Sequence, residues 1–454
     1  MSLSLVRALR IGFLPRIAFV GAGGKTTAIL QLARALNKER GTSVIVAATS
    51  HMGSWQIPFA DTHFIAESPA ALEEKQNKFS GVILITGDLD GERTKPLDDQ
   101  TLNRLHEYCE EHSLPLLIEA DGSRQKPMKA WADHEPPIPP FVNQVVQVVG
   151  ISAMGKPLNN ENVHRPEIFS RLSGLNIGEA VTGDALIKVL KHTEGGLKNI
   201  PVHATRTALI NQADTAGWQA AAHGLVGPLL STYGSVVISS LKHETIYAVH
   251  EPIAGIILAA GESTRFGKTK QLLDWRGKPF VRAVAITALE SGLSPVIVVS
   301  GANAENVEAA VKDLDVAIVR NEDWKSGQGS SIKAGIKSLT TDSSSILPAG
   351  NIGGAIFLLT DQPQITTSIL RALVQKHAER LFSIVAPMVL DRRANPVLFD
   401  RDVFADLLTL QGDVGGRAIF HKRHVEYLPW HDDRLLLDVD TPEMYQRLIS
   451  DESL

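Results

Sequence analysis

Residues 254–270 read AGIILAAGESTRFGKTK: a short apolar run, then a loop of small residues with two glycines and three basic side chains. Small side chains let backbone N–H groups approach phosphates closely. Arg265 and Lys270 add positive charge where a triphosphate would lie, around the strand end and loop of Leu258, Ala259, Ala260, Gly261 and Gly267. Outward from this loop the apolar runs PVIVVSG, VAIVRN, AIFLLTDQP and SIVAPMV follow. Continuous apolar strands alternating with amphipathic helices predict an α/β fold, a parallel sheet covered on both faces. The run AIFLLTDQP ends in Asp361, and LLLDVDTPEMY ends another apolar run in Asp438 and Asp440. Open α/β sheets place ligands at the carboxyl ends of their strands, and Mg2+ on nucleotide phosphates takes one or two protein carboxylates. Each aspartate alone has a plainer reading as a helix cap.

The same strand-then-glycine pattern occurs earlier, in IAFVGAGGKTT at 17–27. Lys25 is placed to reach β- and γ-phosphates and Thr26 to ligate Mg2+, with Gly21, Gly23, Gly24 and Thr27 completing the loop. The spacing GxxxxGK[ST] would require glycine where Phe19 stands, and GxGxxG fails at Thr26, so the loop is a shortened one. PLLIEADGS ends in Glu119 and Asp121, where a second Mg2+-linked carboxylate is expected, and Asp121 is assigned to the nucleotide site. TALINQAD at 207–214 resembles the NKxD element of GTPases with Gln212 in place of lysine, so that Asn211 and Asp214 would face a guanine; a polar helix start after a strand is an equal reading. ATP and GTP both remain open for this half. His51, His134 and His164 lie in or beside loops and are either a metal trio or, more commonly, local hydrogen-bonding groups.

Two glycine loops with different chemistry divide 454 residues into two domains, 1–245 and 252–454, joined by the polar LKHETIYAVHEP at 241–252. WADHEPPIPPF at 131–141 is too proline-rich for a helix or central strand, and TTDSSSILPAGNIGG at 340–354 reads as an inserted loop. A net charge of -5 gives no reason to expect nucleic acid or an anionic membrane as partner. One cysteine, Cys109, sits in a helical pattern and excludes an internal disulfide framework or a thiolate metal cluster. No apolar run reaches the roughly 18–20 residues that span a bilayer. The start, MSLSLVRALRIGFLPRIAFV, has arginines interrupting its apolar stretch and runs into a strand and glycine loop, so the expected location is cytoplasmic.

The ordered set LAAGESTRFGKTKQLL, GQGSSIKAG at 327–335, LLTDQP, ANPVLF at 394–399, GDVGGR at 412–417 and DVDTPE resembles the MobA-like nucleotidyltransferase family, most closely its molybdenum cofactor cytidylyltransferase branch. That resemblance implies a Rossmann-like nucleotidyltransferase fold. It also implies that Arg265, Lys270 and Asp361 are catalytic, that Asp361 and Asp440 hold Mg2+, and that Gly329, Ser330 and Ser331 lie near base and ribose. The implied donor is CTP, because Ala260 stands where guanylyl members have glycine, and the implied acceptor is molybdopterin carrying molybdenum. Asn395 stands where that branch has a histidine, and a sugar phosphate or another alcohol phosphate is the alternative acceptor. VGAGGKTT, EADGSRQKPMKAWADHEPPIP and VHRPEIF resemble the YqeC-type accessory family, associated with selenium-dependent molybdenum hydroxylases. This implies a phosphate-loop NTPase-like parallel sheet and a client molybdenum hydroxylase as partner, with the nucleotide either hydrolysed or acting as a switch.

Overall fold

The computed structural model describes residues 3–73, 79–262, 266, 268–340 and 352–450. The chain forms two compact units, Met1–His250 and Glu251–Leu454.

The first unit is built on strands β1 (Arg16–Gly21), β2 (Val44–Ala48), β3 (Thr62–Ile65), β4 (Val82–Thr86), β5 (Leu116–Glu119), β6 (Gln144–Gly150), β7 (Thr205–Asn211), β8 (Ser235–Ser240) and β9 (Thr245–His250). They form one sheet in the order β9-β8-β7-β6-β1-β5-β2-β4-β3, parallel except for β9. Every residue of β1, β2, β4, β5 and β6 is buried, which is why these segments read as unbroken apolar runs. Helix α1 (Lys25–Arg40) buries Ala28, Ile29, Leu32, Ala33 and Leu36, the three- and four-residue spacing of a single core-facing stripe. It stops at Gly41, whose φ of 66° is the left-handed cap that glycine adopts at least cost. Cys109 lies in helix α2 (Asp99–Glu111), fully buried, and burial pushes its thiol up to about 12, so it is a core residue and no reactive thiolate. Because β1, β5, β6 and β7 are parallel, the loops after Gly21, Glu119, Gly150 and Asn211 all emerge along one edge of the sheet.

The segment 241–252, read from its polarity as a join, belongs mostly to this sheet. After a short turn at Leu241–His243, β9 pairs antiparallel with β8, and the unit ends at His250. Its polar composition is that of a half-exposed edge strand. The proline-rich 131–141 forms no regular element.

The second unit has β10 (Ile253–Ala259), β11 (Val296–Ser300), β12 (Ala317–Arg320), helix α3 (Gln328–Thr340), β13 (Gly354–Leu359), helix α4 (Thr367–Arg380), β14 (Ile384–Val389), β15 (Arg392–Arg393), β16 (Val397–Asp400) and β17 (Val425–Pro429). The sheet order is β12-β11-β10-β13-β16-β14-β15, with β17 beside β14. Strands β10 to β13 are parallel, as expected, but β16 runs antiparallel to both β13 and β14. The sheet is thus parallel through β10 to β13 and mixed beyond them. Strand β16 is the VLFD of the ANPVLF stretch, four buried residues, too short to stand out as a strand. It is fixed to α4 by a buried hydrogen bond of 2.7 Å between His377 Nε2 and Asp400 Oδ2. Of the segment 340–354, Thr340 closes α3 and Gly354 opens β13, while 341–351 lie outside the described residues. Among the described residues no helix is long and apolar enough to cross a membrane.

Candidate functional site

In the second unit β10 and β13 are parallel neighbours with Leu258 opposite Leu359, so the 260–262 loop and the TDQP loop leave the sheet side by side. Between them opens a cavity of about 610 Å³, lined by Leu258, Ala260, Gly261, Lys270, Ser331, Asp361 and Asp440 among others. Lys270 Nζ donates to Asp440 Oδ1 at 2.8 Å and lies 3.5 Å from Asp361 Oδ2. Burial pushes the Asp361 carboxyl up to about 6; the neighbouring Asp438 and Asp440 add to this, and Lys270 opposes it. Among the described residues, the buried Asp361 Oδ1 has no hydrogen-bond partner. An orphaned buried acceptor costs roughly 1–3 kcal/mol, so the site is built for something positive to meet that oxygen. A hard divalent cation fits this donor set of carboxylate oxygens, with substrate phosphates supplying the rest.

Asp438 is turned away from this role: its Oδ1 accepts from Gln362 Nε2 at 2.7 Å. Gln362 also donates to Leu435 O, and Gln364 donates to Arg434 O and Leu437 O. With Val439 N donating to Asp361 O at 3.0 Å, these bonds tie the TDQP loop to the DVDTPE loop and so set the Asp361–Asp440 separation. The sequence reading gave neither glutamine a role; both sit in the loop between β13 and α4, Gln362 buried and Gln364 half-buried.

The remaining expected contacts divide. Leu258, Ala260, Gly261 and Ser331 face the cavity. Ala259 does not, because its side chain packs in the core on the other face of the strand. Ser330 is turned under the loop, donating to Gly327 O at 2.8 Å and accepting from Asn321 Nδ2 at 2.8 Å. Gly329 packs against Gly412, its N donating to Gly412 O at 3.1 Å. Ser330 and Gly329 are thus supports for the wall that Ser331 completes. Trp324, Lys325, Gln328 and Asp413 line the cavity without having been singled out. Arg265 and Gly267 lie outside the described residues. A second cavity, about 250 Å³, shares Leu258, Gln328 and Leu359 with the first and has Asn395 and Arg417 on its wall.

In the first unit the glycine loop follows β1. Gly21, Gly23 and Gly24 have φ of 98°, 83° and 127°. A Cβ on Gly23 would sit 2.4 Å from Gly150 N and 2.7 Å from Pro127 O, so the chain there admits only glycine. A cavity of about 590 Å³ opens above it, lined by Gly23, Gly24, Lys25, Thr26, Thr27, His51 and Glu119 among others. Thr26 Oγ1 donates to Glu119 Oε2 at 2.8 Å and accepts from Gln56 Nε2 at 2.8 Å. The carboxylate beside Thr26 is therefore Glu119, whose carboxyl is raised chiefly by burial.

Asp121 is not on the cavity wall. It is fully buried behind the loop and accepts from Gly21 N, Trp131 Nε1 and Lys129 Nζ, with Lys25 Nζ 3.2 Å away. Lys25 itself donates to Gly21 O at 2.7 Å. Asn211 is likewise a brace, since Nδ2 donates to Gly23 O at 2.7 Å while Oδ1 accepts from Leu241 N at 2.9 Å. Asp214 is exposed, accepts from Ser240 Oγ, and is not on the cavity wall, whereas Gln212 is.

Behind the loop, Lys129 donates to Glu135 Oε2 at 3.0 Å and Arg165 pairs with both oxygens of Glu135. Burial works against ionisation of Glu135, but Arg165 and Lys129 hold its carboxyl down to about 2. Burial, then Arg165 and Lys129, hold His164 down to about 4, so it is neutral. His51, His134 and His164 are not brought together; among the described residues no three His, Cys, Asp or Glu side chains group as a metal site. Lys129→Met should leave the buried Asp121 with Lys25 and Glu135 with Arg165 as their remaining cations, and destabilise this unit by about 1–3 kcal/mol, read from urea unfolding. An unchanged midpoint would show that the network adds nothing to stability.

A family model described as "YqeC protein" matches residues 17–167, and one described as "MobA-like NTP transferase domain" matches residues 255–427. Nicotine blue oxidoreductase of Paenarthrobacter nicotinovorans is 34% identical over 206 residues, 43% of this chain and 96% of that protein. YqeC of Escherichia coli (strain K12) is 31% identical over 210 residues, 43% of this chain and 75% of that protein. A Bacillus cereus protein named "probable molybdenum cofactor guanylyltransferase" is 26% identical over 148 residues, 32% of this chain and 66% of that protein.

Proposed function

Because this chain belongs to the YqeC family in its first unit and to the MobA-like NTP transferase family in its second, we propose that it matures a molybdenum cofactor. The second unit is a nucleotidyltransferase, and in this reading it transfers CMP from CTP to molybdopterin carrying molybdenum, releasing pyrophosphate. The observation that carries the reading is Lys270 set between Asp361 and Asp440, with one Asp361 oxygen buried and unpaired.

Asp361 and Asp440 would hold Mg2+, which when bound neutralises phosphate charge and orients the reacting groups. Lys270 and Arg265 would bind the triphosphate, with Lys270 meeting the charge that develops on the departing pyrophosphate. The acceptor phosphate is already ionised at neutral pH, so no side chain need act as general base. Leu258, Ala260 and Ser331 would bound the nucleoside. Ala260 adds a methyl to the cavity wall where a glycine would leave more room, and this favours the smaller pyrimidine.

The first unit would bind ATP or GTP through Gly23, Gly24, Lys25, Thr26 and Thr27, with Glu119 as the carboxylate beside Thr26. It would serve as the accessory module that hands the cofactor to a client molybdenum hydroxylase.

The test is pyrophosphate release by the purified protein with Mg2+, molybdenum-loaded molybdopterin, and CTP, GTP or ATP in turn. Release with CTP alone is expected, and Ala260→Gly should narrow the preference over GTP by about ten-fold. Release with GTP alone would overturn the reading of Ala260, and silence with all three would point to another acceptor. A redox reading has one observation in its favour, the 34% identity to a protein named nicotine blue oxidoreductase. Chelation of divalent cations separates the two, because it stops the proposed transfer and leaves a metal-free redox turnover intact.

A further inference from the structure

Three cations on the first unit's cavity wall, Arg93, Arg124 and Lys126, have no intramolecular side-chain partner among the described residues. A nucleotide bound as proposed is already supplied with Lys25, the loop amides and the Thr26–Glu119 pair. Three further cations exceed what one triphosphate needs. Arg124 and Gln125 also hold φ of 48° and 60°, a region that non-glycine residues occupy at a cost of order 1 kcal/mol each. The fold sustains that strain by anchoring the loop at its base, where Lys129 Nζ donates to Gly122 O at 2.7 Å. Also on the cavity wall, the short helix Ser54–Phe59 is latched to Thr26 through Gln56 and presents Trp55, 56% exposed. An open indole face is a stacking platform for a planar ring.

We infer that this cavity takes a second ligand beside the nucleotide, a phosphate ester of a planar heterocycle, its phosphate on Arg93, Arg124 and Lys126 and its ring on Trp55. The inference rests on the nucleotide reading of the glycine loop. A phosphorylated pterin of the kind proposed as acceptor for the second unit is a member of this ligand class, so both units would grip the same compound.

The experiment is equilibrium dialysis of the full-length protein with Mg2+ and a saturating non-hydrolysable GTP or ATP analogue. The probes are 4-methylumbelliferyl phosphate, a planar phosphate monoester, and inorganic phosphate. With nucleotide in place, the monoester should bind, and Arg93→Ala and Arg124→Ala should each weaken it about ten-fold while leaving nucleotide affinity within about two-fold. Trp55→Ala should weaken the monoester but not inorganic phosphate, and Trp55→Phe should restore it. If the monoester displaces the nucleotide, or binds equally well to both arginine variants, the three cations serve the nucleotide and the inference is overturned. Nucleotide binding without monoester binding defeats this inference alone, whereas no nucleotide binding at all defeats the reading beneath it as well.

Discussion

Asp361→Asn is expected to abolish nucleotidyl transfer and, without added metal, to raise the thermal stability of the second unit. The amide keeps the shape but cannot supply the charge that a divalent cation and Lys270 meet, so turnover should fall by about a thousand-fold or more. The stability effect has the opposite sign. The carboxyl sits at about 6 in the folded chain against an ordinary value of 3.8, so the folded state holds its proton more tightly than the unfolded state does. Its contribution is fully present below the unfolded value and is lost as pH rises through about 6. At pH 8 the ionised, buried Asp361 therefore weakens the fold by on the order of 2 kcal/mol, which the amide removes. Calorimetry in chelator from pH 4 to pH 8 should show the variant gaining on the parent protein as pH rises. Near-normal turnover would sink the metal assignment, and a variant less stable than the parent at pH 8 would sink the account of the carboxyl.

Lys25→Ala is expected to lower nucleotide affinity of the first unit by about a hundred-fold, since it removes a charge-assisted bond from a largely shielded phosphate site. The fold should survive, because Asp121 keeps Lys129, Trp131 and the Gly21 amide. Fluorescent-nucleotide titration reads the affinity, and a parallel binding assay with a molybdenum hydroxylase, the proposed client, reads the partner. Lost hydrolysis marks an NTPase. Slow hydrolysis with nucleotide-dependent partner affinity marks a switch. If neither affinity moves, the glycine loop is not a phosphate site.

Both sheets were legible because their central strands are buried on both faces, which leaves no choice but apolar residues at every position. The glycine loops were legible for the same kind of reason, since at Gly23 the approach of Gly150 and Pro127 forbids any side chain. What failed was decided at long range. Glu119 and Asp121 are two apart at the end of one strand, and no spacing distinguishes them. Lys129 pairs with Asp121 and Trp131 donates to it from further along the chain, while Glu119 accepts from Thr26. The strand Val397–Asp400 was hidden by its shortness, and the edge strand Thr245–His250 by the polarity that it shares with a linker. Ser330 and Ser331 both accept from Asn321, and only Ser331 is on the cavity wall, a difference of helix rotation that no spacing reveals.

The brace that Asn211 makes to Gly23 spans 188 residues of chain, and the same side chain is fixed by the turn at Leu241. The loop at 21–24 is thus made well before the residues that hold its working shape. A nascent or truncated chain that stops short of residue 241 has the loop but not its clamp. The nucleotide capture proposed for the first unit therefore depends on a chain made at least as far as Leu241.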